Sequence, residues 1–242
     1  MKTTLVGQLL GQQFELIDIS QPVHSKTAAF PGDTPFSKTE TLTYSDSGVI
    51  NLSAFTMSPH IGTHADAPVH IQGSLGQAET PHAGDLGLTN YMGPCLVIDC
   101  IPSGKTHTHE CLNTISTGIA DICRVWEKQV DGEKPVRILL KTRTVSQPEV
   151  FAGDYASISP ELADWFGEQG GLLVGIDTPS VDPVDSKTLP AHHAMLKHGI
   201  VWLENLDLSA VEAGRYDLIA LPLNMTELEA SPVRAVLIKK AN

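Results

Sequence analysis

Residues 58–71 read Ser58-Pro59-His60-Ile61-Gly62-Thr63-His64-Ala65-Asp66-Ala67-Pro68-Val69-His70-Ile71. Three histidines and one aspartate fall in this stretch: His60, His64, Asp66 and His70. The whole chain holds 10 histidines among 242 residues, so the segment is strongly enriched. Imidazole and carboxylate are the usual nitrogen and oxygen ligands of a borderline divalent metal. The four residues occupy even positions and would share one face of an extended segment. An extended path from His60 to His70 covers roughly 33 Å, and a helical one about 15 Å. Neither path lets all four reach one ion. Pro59, Gly62 and Pro68 predict instead a turning segment that folds its ligands inward. No zinc-finger cysteine pairs and no His-Glu-x-x-His helix compete with this site.

The composition is that of a globular protein, with 41% hydrophobic and 18% charged residues. The length suits one large core or two small ones. A net charge of −12 argues against a nucleic-acid partner, which needs a basic surface. A small anionic substrate would need a local positive centre, and a metal ion supplies one. Cys95, Cys100, Cys111 and Cys123 form no Cys-x-x-Cys pair and read as free thiols. The N-terminal segment is too short and polar in its apolar run for a signal peptide. No run reaches the length of a membrane span. A cytoplasmic protein with a small-molecule substrate, no membrane and no nucleic acid is expected.

Working outward, Phe14–Ile19 alternates and predicts a strand. Gln21–Pro35 is a proline-rich loop carrying Phe30 beside Pro31-Gly32-Asp33. Ser37–Tyr44 and Val49–Met57 predict a β-hairpin around Ser45–Gly48, and its second strand runs into the histidine segment. Residues 73–94 read as loop, with His82 at the surface. Cys95–Cys100 and Val136–Lys141 are apolar strands. His107 and His109 are a weak metal signal, and Thr108 suits a helix cap better. Ser159-Pro160-Glu161 begins a helix, with Ser159 as N-cap, which ends at Gly170-Gly171. Leu172–Ile176 is a strand whose carboxyl end turns at Asp177-Thr-Pro-Ser180, where α/β sites often lie. A helix over 191–198, strands at Ile200–Leu203 and Tyr216–Leu223, and a last strand at Val233–Lys239 complete the chain. Residues 1–242 read as a single α/β domain with many strands and few helices.

His-x-Gly-Thr-His-x-Asp-x-Pro-x-His resembles the signature of the metal-dependent cyclase family. Pro31-Gly32-Asp33-Thr34-Pro35, Gly175–Ser180, Asp185-Ser-Lys187, Ala191-His192-His193 and Ala220–Leu223 extend the resemblance and narrow it to the formamidase branch. The resemblance implies a mixed β-sheet core with peripheral helices, in a swivelling β/β/α fold, and a homodimer. It also implies a centre of two divalent ions, Zn²⁺ first and Mn²⁺ next, held by His60, His64, Asp66, His192 and Glu204. Without it, His192 is not separable from His193, and Glu204 reads as a solvated strand end. Asp66 suits a bridge because a carboxylate offers two oxygens.

The implied activity is hydrolysis of N-formyl-L-kynurenine to L-kynurenine and formate. A metal lowers the pKa of a bound water toward ~7 and supplies hydroxide for attack on the formyl carbon. His70 is the implied acid/base residue, a role that suits imidazole near neutrality. The alternative is that His70 binds metal and another group moves the proton. The formamidases usually carry tryptophan where this chain has Phe30, so the aromatic wall of the pocket is kept but the indole donor is lost. Hydrolysis of another small or cyclic amide is the alternative activity, and a non-catalytic metal- or ligand-binding protein is a third reading. No Gly-x-Ser-x-Gly elbow is present, and Ser58 and Ser180 read as turn or capping residues.

Overall fold

Alternating apolar residues build the centre of the molecule. In β6 (Met92–Asp99), Leu96 and Ile98 face one side and Cys95 and Val97 the other, and all four are buried. β7 (Arg137–Lys141), β8 (Leu173–Ile176) and β9 (Val201–Glu204) follow in parallel register with it. Strands covered on both faces read as near-continuous apolar runs, which is the pattern seen in all four. The computed structural model describes residues 5–9, 12–75, 79–101, 122, 125–127 and 134–240. The expected cap at Thr108, with His107, His109, Cys111 and Cys123, lies outside these residues.

Antiparallel strands extend the sheet on both sides. Next to β6 come β10 (Gly214–Ile219), β12 (Val236–Lys240), β2 (Gln12–Asp18) and β1 (Leu5–Leu9). Next to β9 come β5 (His64–Asp66) and β11 (Ala230–Pro232). Among the described residues this mixed sheet has ten strands, and one face of it packs Ile138, Val174 and Trp202 against Leu162, Phe166 and Met195. Those three come from α2 (Pro160–Glu168) and α3 (Pro190–Lys197). On the other face the sheet curls onto itself around Ile19, Leu139, Leu203, Leu218 and Leu237. Ser20 bridges to Leu206, and the Asp207 N–H donates to the Ile19 carbonyl at 2.7 Å. The end of β2 is thereby drawn to the chain leaving β9, which is the mouth of the site described below. Among the described residues, no helix is long and apolar enough to cross a membrane.

The expected hairpin is present as β3 (Ser37–Leu42) and β4 (Leu52–Thr56). Its tip is one helical turn, α1 (Tyr44–Ser47), closed by Gly48 at φ 69°. Two expected strands are shorter than their apolar runs. The run at 216–223 leaves the sheet at Ile219, shortly before Pro222. The run from Val233 does not join β12 until Val236: the Val233 N–H bonds the Thr63 carbonyl at 3.0 Å and the Ala235 N–H goes to the Ser20 hydroxyl at 2.8 Å. The described residues from 79 to 91 are loop, as expected, with 3₁₀ turns at Ala83–Asp85 and Leu88–Tyr91. His82 is buried there, not exposed as expected, because its backbone N–H is held by Asp85 at 2.9 Å at the start of the first turn.

α2 begins as its sequence predicts. The Ser159 hydroxyl accepts from the Leu162 N–H at 3.3 Å, Pro160 fills the first turn, and Gly170 follows the helix at φ 80°. Ser159→Ala should lower unfolding stability by ~1 kcal/mol. A shifted urea midpoint with an unchanged slope would show it, and no shift would mean that packing alone sets the helix start.

Candidate metal centre and active-site pocket

The histidine segment is folded by three local devices. Gly62 adopts φ 68°, a left-handed conformation that turns the chain into β5. β5 then sets His64 and Asp66 on one face and Ala65 on the other, in the curled core. After Ala67, a 3₁₀ turn over Pro68–His70 brings His70 back, with its N–H on the Ala67 carbonyl at 2.9 Å. The segment turns inward as its glycine and prolines predict.

A strand pairing and a helix supply the distal residues. In the β5–β9 register, His64 lies opposite Glu204, the last residue of β9. α3 presents His192 as a buried residue, whereas His193 is exposed, so the structure separates two histidines that the sequence leaves equivalent. Left-handed backbone outside glycine occurs, among the described residues, only at Leu189, before α3, and at Asn205, after Glu204. Such conformations cost of order 1–3 kcal/mol and are kept where surrounding structure over-determines them. At Asn205 the fixing contacts are a 2.8 Å bond to the Thr178 carbonyl and a 2.6 Å bond from the Thr63 hydroxyl.

Asp66 is the hub. Its Oδ1 lies 3.1 Å from His60 Nδ1 and 3.4 Å from His64 Nε2. Its Oδ2 lies 3.6 Å from His192 Nε2 and 4.0 Å from His70 Nε2, and it accepts a 2.9 Å bond from the Trp202 indole. Glu204 spans the same space, with Oε2 3.3 Å from His64 Nε2 and Oε1 3.5 Å from His192 Nε2. The Val181 N–H fixes Glu204 Oε1 at 2.8 Å. Asp66 therefore faces four imidazoles and Glu204 two of the same four, a cluster of nitrogen and oxygen donors suited to a divalent cation.

The outer partners fix which imidazole nitrogen points inward. His64 Nδ1 lies 2.9 Å from the Gly62 carbonyl, leaving Nε2 for the centre. His192 Nδ1 lies 2.6 Å from Asp182 Oδ2. Asp182 is wholly buried and also accepts the Ala191 and His192 N–H groups at 3.0 Å, so it caps α3 while orienting its histidine.

These residues fit a metal. His64 Nε2 and Asp66 Oδ1 are buried without a hydrogen-bond partner. Orphaned polar atoms are costly in a dry site, and a divalent cation would satisfy both. Ligand atoms lie within 4.8 Å of one another in two sets that share Asp66: His60, His64, Asp66, and Asp66, His70, His192. The electrostatics agree. Burial disfavours a charged His60, but Asp66, Glu229 and Glu204 outweigh it and hold that imidazole up at about 11. Burial opposes protonation of His192 too, and Asp182, Asp66 and Glu204 raise it to about 10. The carboxylates thus demand positive charge here, which a metal supplies in place of protons.

His70 differs. Burial, with the neighbouring charges of His60 and His192, lowers its pKa against the pull of Asp66 and Glu204. Its side chain is 31% exposed, against 1–4% for His64, Asp66, His192 and Glu204. It opens onto a cavity of about 370 Å³ lined also by Phe30, Asp33, Arg143, Phe151 and Glu229. Phe30 meets Phe151 edge to face at 5.2 Å. The Ser58 hydroxyl donates to Asp33 at 3.0 Å and tethers the Phe30 loop to the histidine segment, a turn role as expected. Asp182, Trp202, Phe151, Arg143 and Glu229 carry no signal in one dimension, because each becomes part of the site only through long-range packing.

A family model named Cyclase matches residues 17–183. The chain belongs to the cyclase family. Kynurenine formamidases of Bordetella pertussis (strain Tohama I) and Bordetella avium (strain 197N) are 38% and 40% identical to it over 222 residues, covering 92% of this chain and 97% of each relative. That of Bacillus cytotoxicus is 39% identical over 223 residues, with the same coverage. An isatin hydrolase bound to the product analogue thioisatinate superposes with a TM-score of 0.76 at 20% identity, over 94% of this chain and 93% of that one. A "predicted metal-dependent hydrolase" from Bacillus stearothermophilus gives 0.70 at 23% identity, over 93% and 98%. At such identities the two structures show the fold, a curled mixed sheet of this family.

Asp182→Asn should weaken metal binding roughly 10- to 100-fold, the usual effect of losing the group that orients a ligating histidine. Competition against a chromophoric chelator measures it. Unchanged affinity would show that α3 packing alone positions His192.

Proposed function

We propose that this chain hydrolyses N-formyl-L-kynurenine to L-kynurenine and formate at a centre of two divalent ions, zinc or manganese, and works as a homodimer. The observation that carries the reading is the pocket itself: a floor of buried imidazoles and carboxylates under a half-open histidine and an aromatic wall. The relatives of 38–40% identity named kynurenine formamidase support the choice of substrate. His60, His64, Asp66, His192 and Glu204 would hold the ions, and Asp66, with two carboxylate oxygens, would suit a shared ligand. Bound divalent ions supply Lewis acidity, which polarises the formyl group and makes water acidic enough to attack near neutrality.

The remaining work falls to the chain. Phe30 and Phe151 bind the aryl ring and exclude water from its faces. The formyl carbon is thereby brought over the carboxylate floor, within reach of His70. His70 takes a proton from the water as the water's oxygen bonds to the formyl carbon, and returns it to the departing aniline nitrogen as the carbon–nitrogen bond breaks. A cavity-facing edge and a pKa lowered by burial suit an imidazole that starts neutral and can accept that proton.

His70→Ala should keep its metal while losing 10²- to 10⁴-fold in kcat, the usual contribution of a placed acid/base. His64→Ala should lose metal. Chelator-stripped protein should be inactive and regain turnover with one added metal, followed by absorbance and elemental analysis. Near-normal turnover by metal-replete His70→Ala would remove the acid/base role.

Phe30 favours one second reading, a metal-dependent hydrolase of another small or cyclic amide. Its ring keeps the aromatic face of the wall but offers no N–H donor. Phe30→Trp should raise kcat/KM for formylkynurenine if that donor limits recognition of this substrate. An unchanged value would leave Phe30 as a sufficient wall and remove the ground for a different amide.

A further inference from the structure

The cavity has an uneven charge distribution. Asp33, Glu204 and Glu229 line it with negative charge, and Arg143 is the one lysine or arginine among its described lining residues. Arg143 Nη2 is buried and has no hydrogen-bond partner. A desolvated guanidinium nitrogen without an acceptor is unfavourable unless a ligand supplies one. Its backbone is firmly placed. The Arg143 N–H donates to Asp177 Oδ2 at 3.1 Å, just past the end of β7. Thr142 holds the same carboxylate through its N–H at 2.9 Å and its hydroxyl at 2.6 Å.

A purely structural role would make Arg143 the counter-charge of buried Asp177. Its charge does pull the Asp177 pKa down, against a larger effect of burial. Yet the Asp177 oxygens are taken by Thr142 and by the Arg143 backbone, and the guanidinium makes none of those bonds. Arg143 also lines a cleft of about 10 Å³ beside Asp177 and Asp207. That volume is on the order of one water and too small for an organic ligand. The space that can offer a planar acceptor to Arg143 is the larger cavity.

We propose that Arg143 is a carboxylate anchor, so that the pocket selects aryl formamides carrying an amino-acid carboxylate over plain aryl formamides. The proposal rests on reading the cavity as an aryl formamide site. Guanidinium and carboxylate match as two parallel N–H···O bonds, which fixes both distance and orientation. The aryl ring then lies between the Phe30 wall and the anchor, and the formyl group is held at the histidine floor. Arg143 acts by binding, and the bond-breaking chemistry is unaffected by it. The consequence is a specificity carried mainly by KM.

The test compares metal-loaded wild type with Arg143→Gln and Arg143→Lys on two substrates. One is N-formyl-L-kynurenine. The other is N-(2-acetylphenyl)formamide, which keeps the ring, ketone and formamide but lacks the amino-acid end. For Arg143→Gln the ratio of kcat/KM between the two should fall about 10- to 100-fold, through KM for formylkynurenine. Arg143→Lys should lose less, because it keeps charge without the planar fork. Calorimetric binding of L-kynurenine should weaken by a similar factor in Arg143→Gln, with or without turnover. An equal loss on both substrates, or unchanged L-kynurenine affinity, would overturn the anchor. Wild type that turns over neither formamide, while its L-kynurenine binding still depends on Arg143, would sink the hydrolase reading and leave the anchor standing.

Discussion

The register of β5 against β9 is the constraint on which the rest depends. Setting His64 opposite Glu204 puts an imidazole and a carboxylate from distant parts of the chain in contact. The period of two along β5 then places Asp66 on the same face, under the Trp202 indole that β9 also supplies. A slip by one residue would send His64 and Asp66 into the apolar core and bring Ala65 to the pocket. The apolar contacts of Ala65 in the curled face therefore hold the site in register as firmly as any polar bond does.

Burying this much ionisable chemistry is costly, and the fold spreads the cost over many fixed donors. Trp202 gives Asp66 a hydrogen bond, Val181 gives one to Glu204, and Asp182 takes three donors from the start of α3. Bonds to charged groups contribute about 1.5–3 kcal/mol each, enough to offset a large part of the desolvation of the acids. Two buried atoms remain unpaired at the centre, His64 Nε2 and Asp66 Oδ1. They face the same small volume, and a cation there would complete the set.

Much of this was legible in the sequence for local reasons. The His60–His70 spacing, broken by Gly62 and Pro68, encodes a turn that needs few distant contacts. The apolar runs at 95–100, 136–141 and 172–176 encode strands buried on both faces. The Ser159-Pro160 start of α2 is likewise local chemistry. His192 and Glu204 were reachable only through family resemblance, since nothing near them in the chain marks them. Asp182 and Arg143 were not visible at all, because their roles exist only after strands and helices have met. His82 was misplaced at the surface for a related reason: a polar residue in a glycine-rich stretch gives no hint that a 3₁₀ turn will bury it.

The pairing of His64 with Glu204 also dictates an order of events in the cell. At ordinary translation rates the ribosome needs on the order of ten seconds to travel from the histidine segment to the end of β9. During that interval His60, His64 and Asp66 exist as a half-site with no partner strand. A nascent chain in that state can hold an ion only loosely, through a few flexible ligands. The complete donor set, and with it any firm hold on a cation, exists only once the carboxyl-terminal half has folded and β5 and β9 are in register.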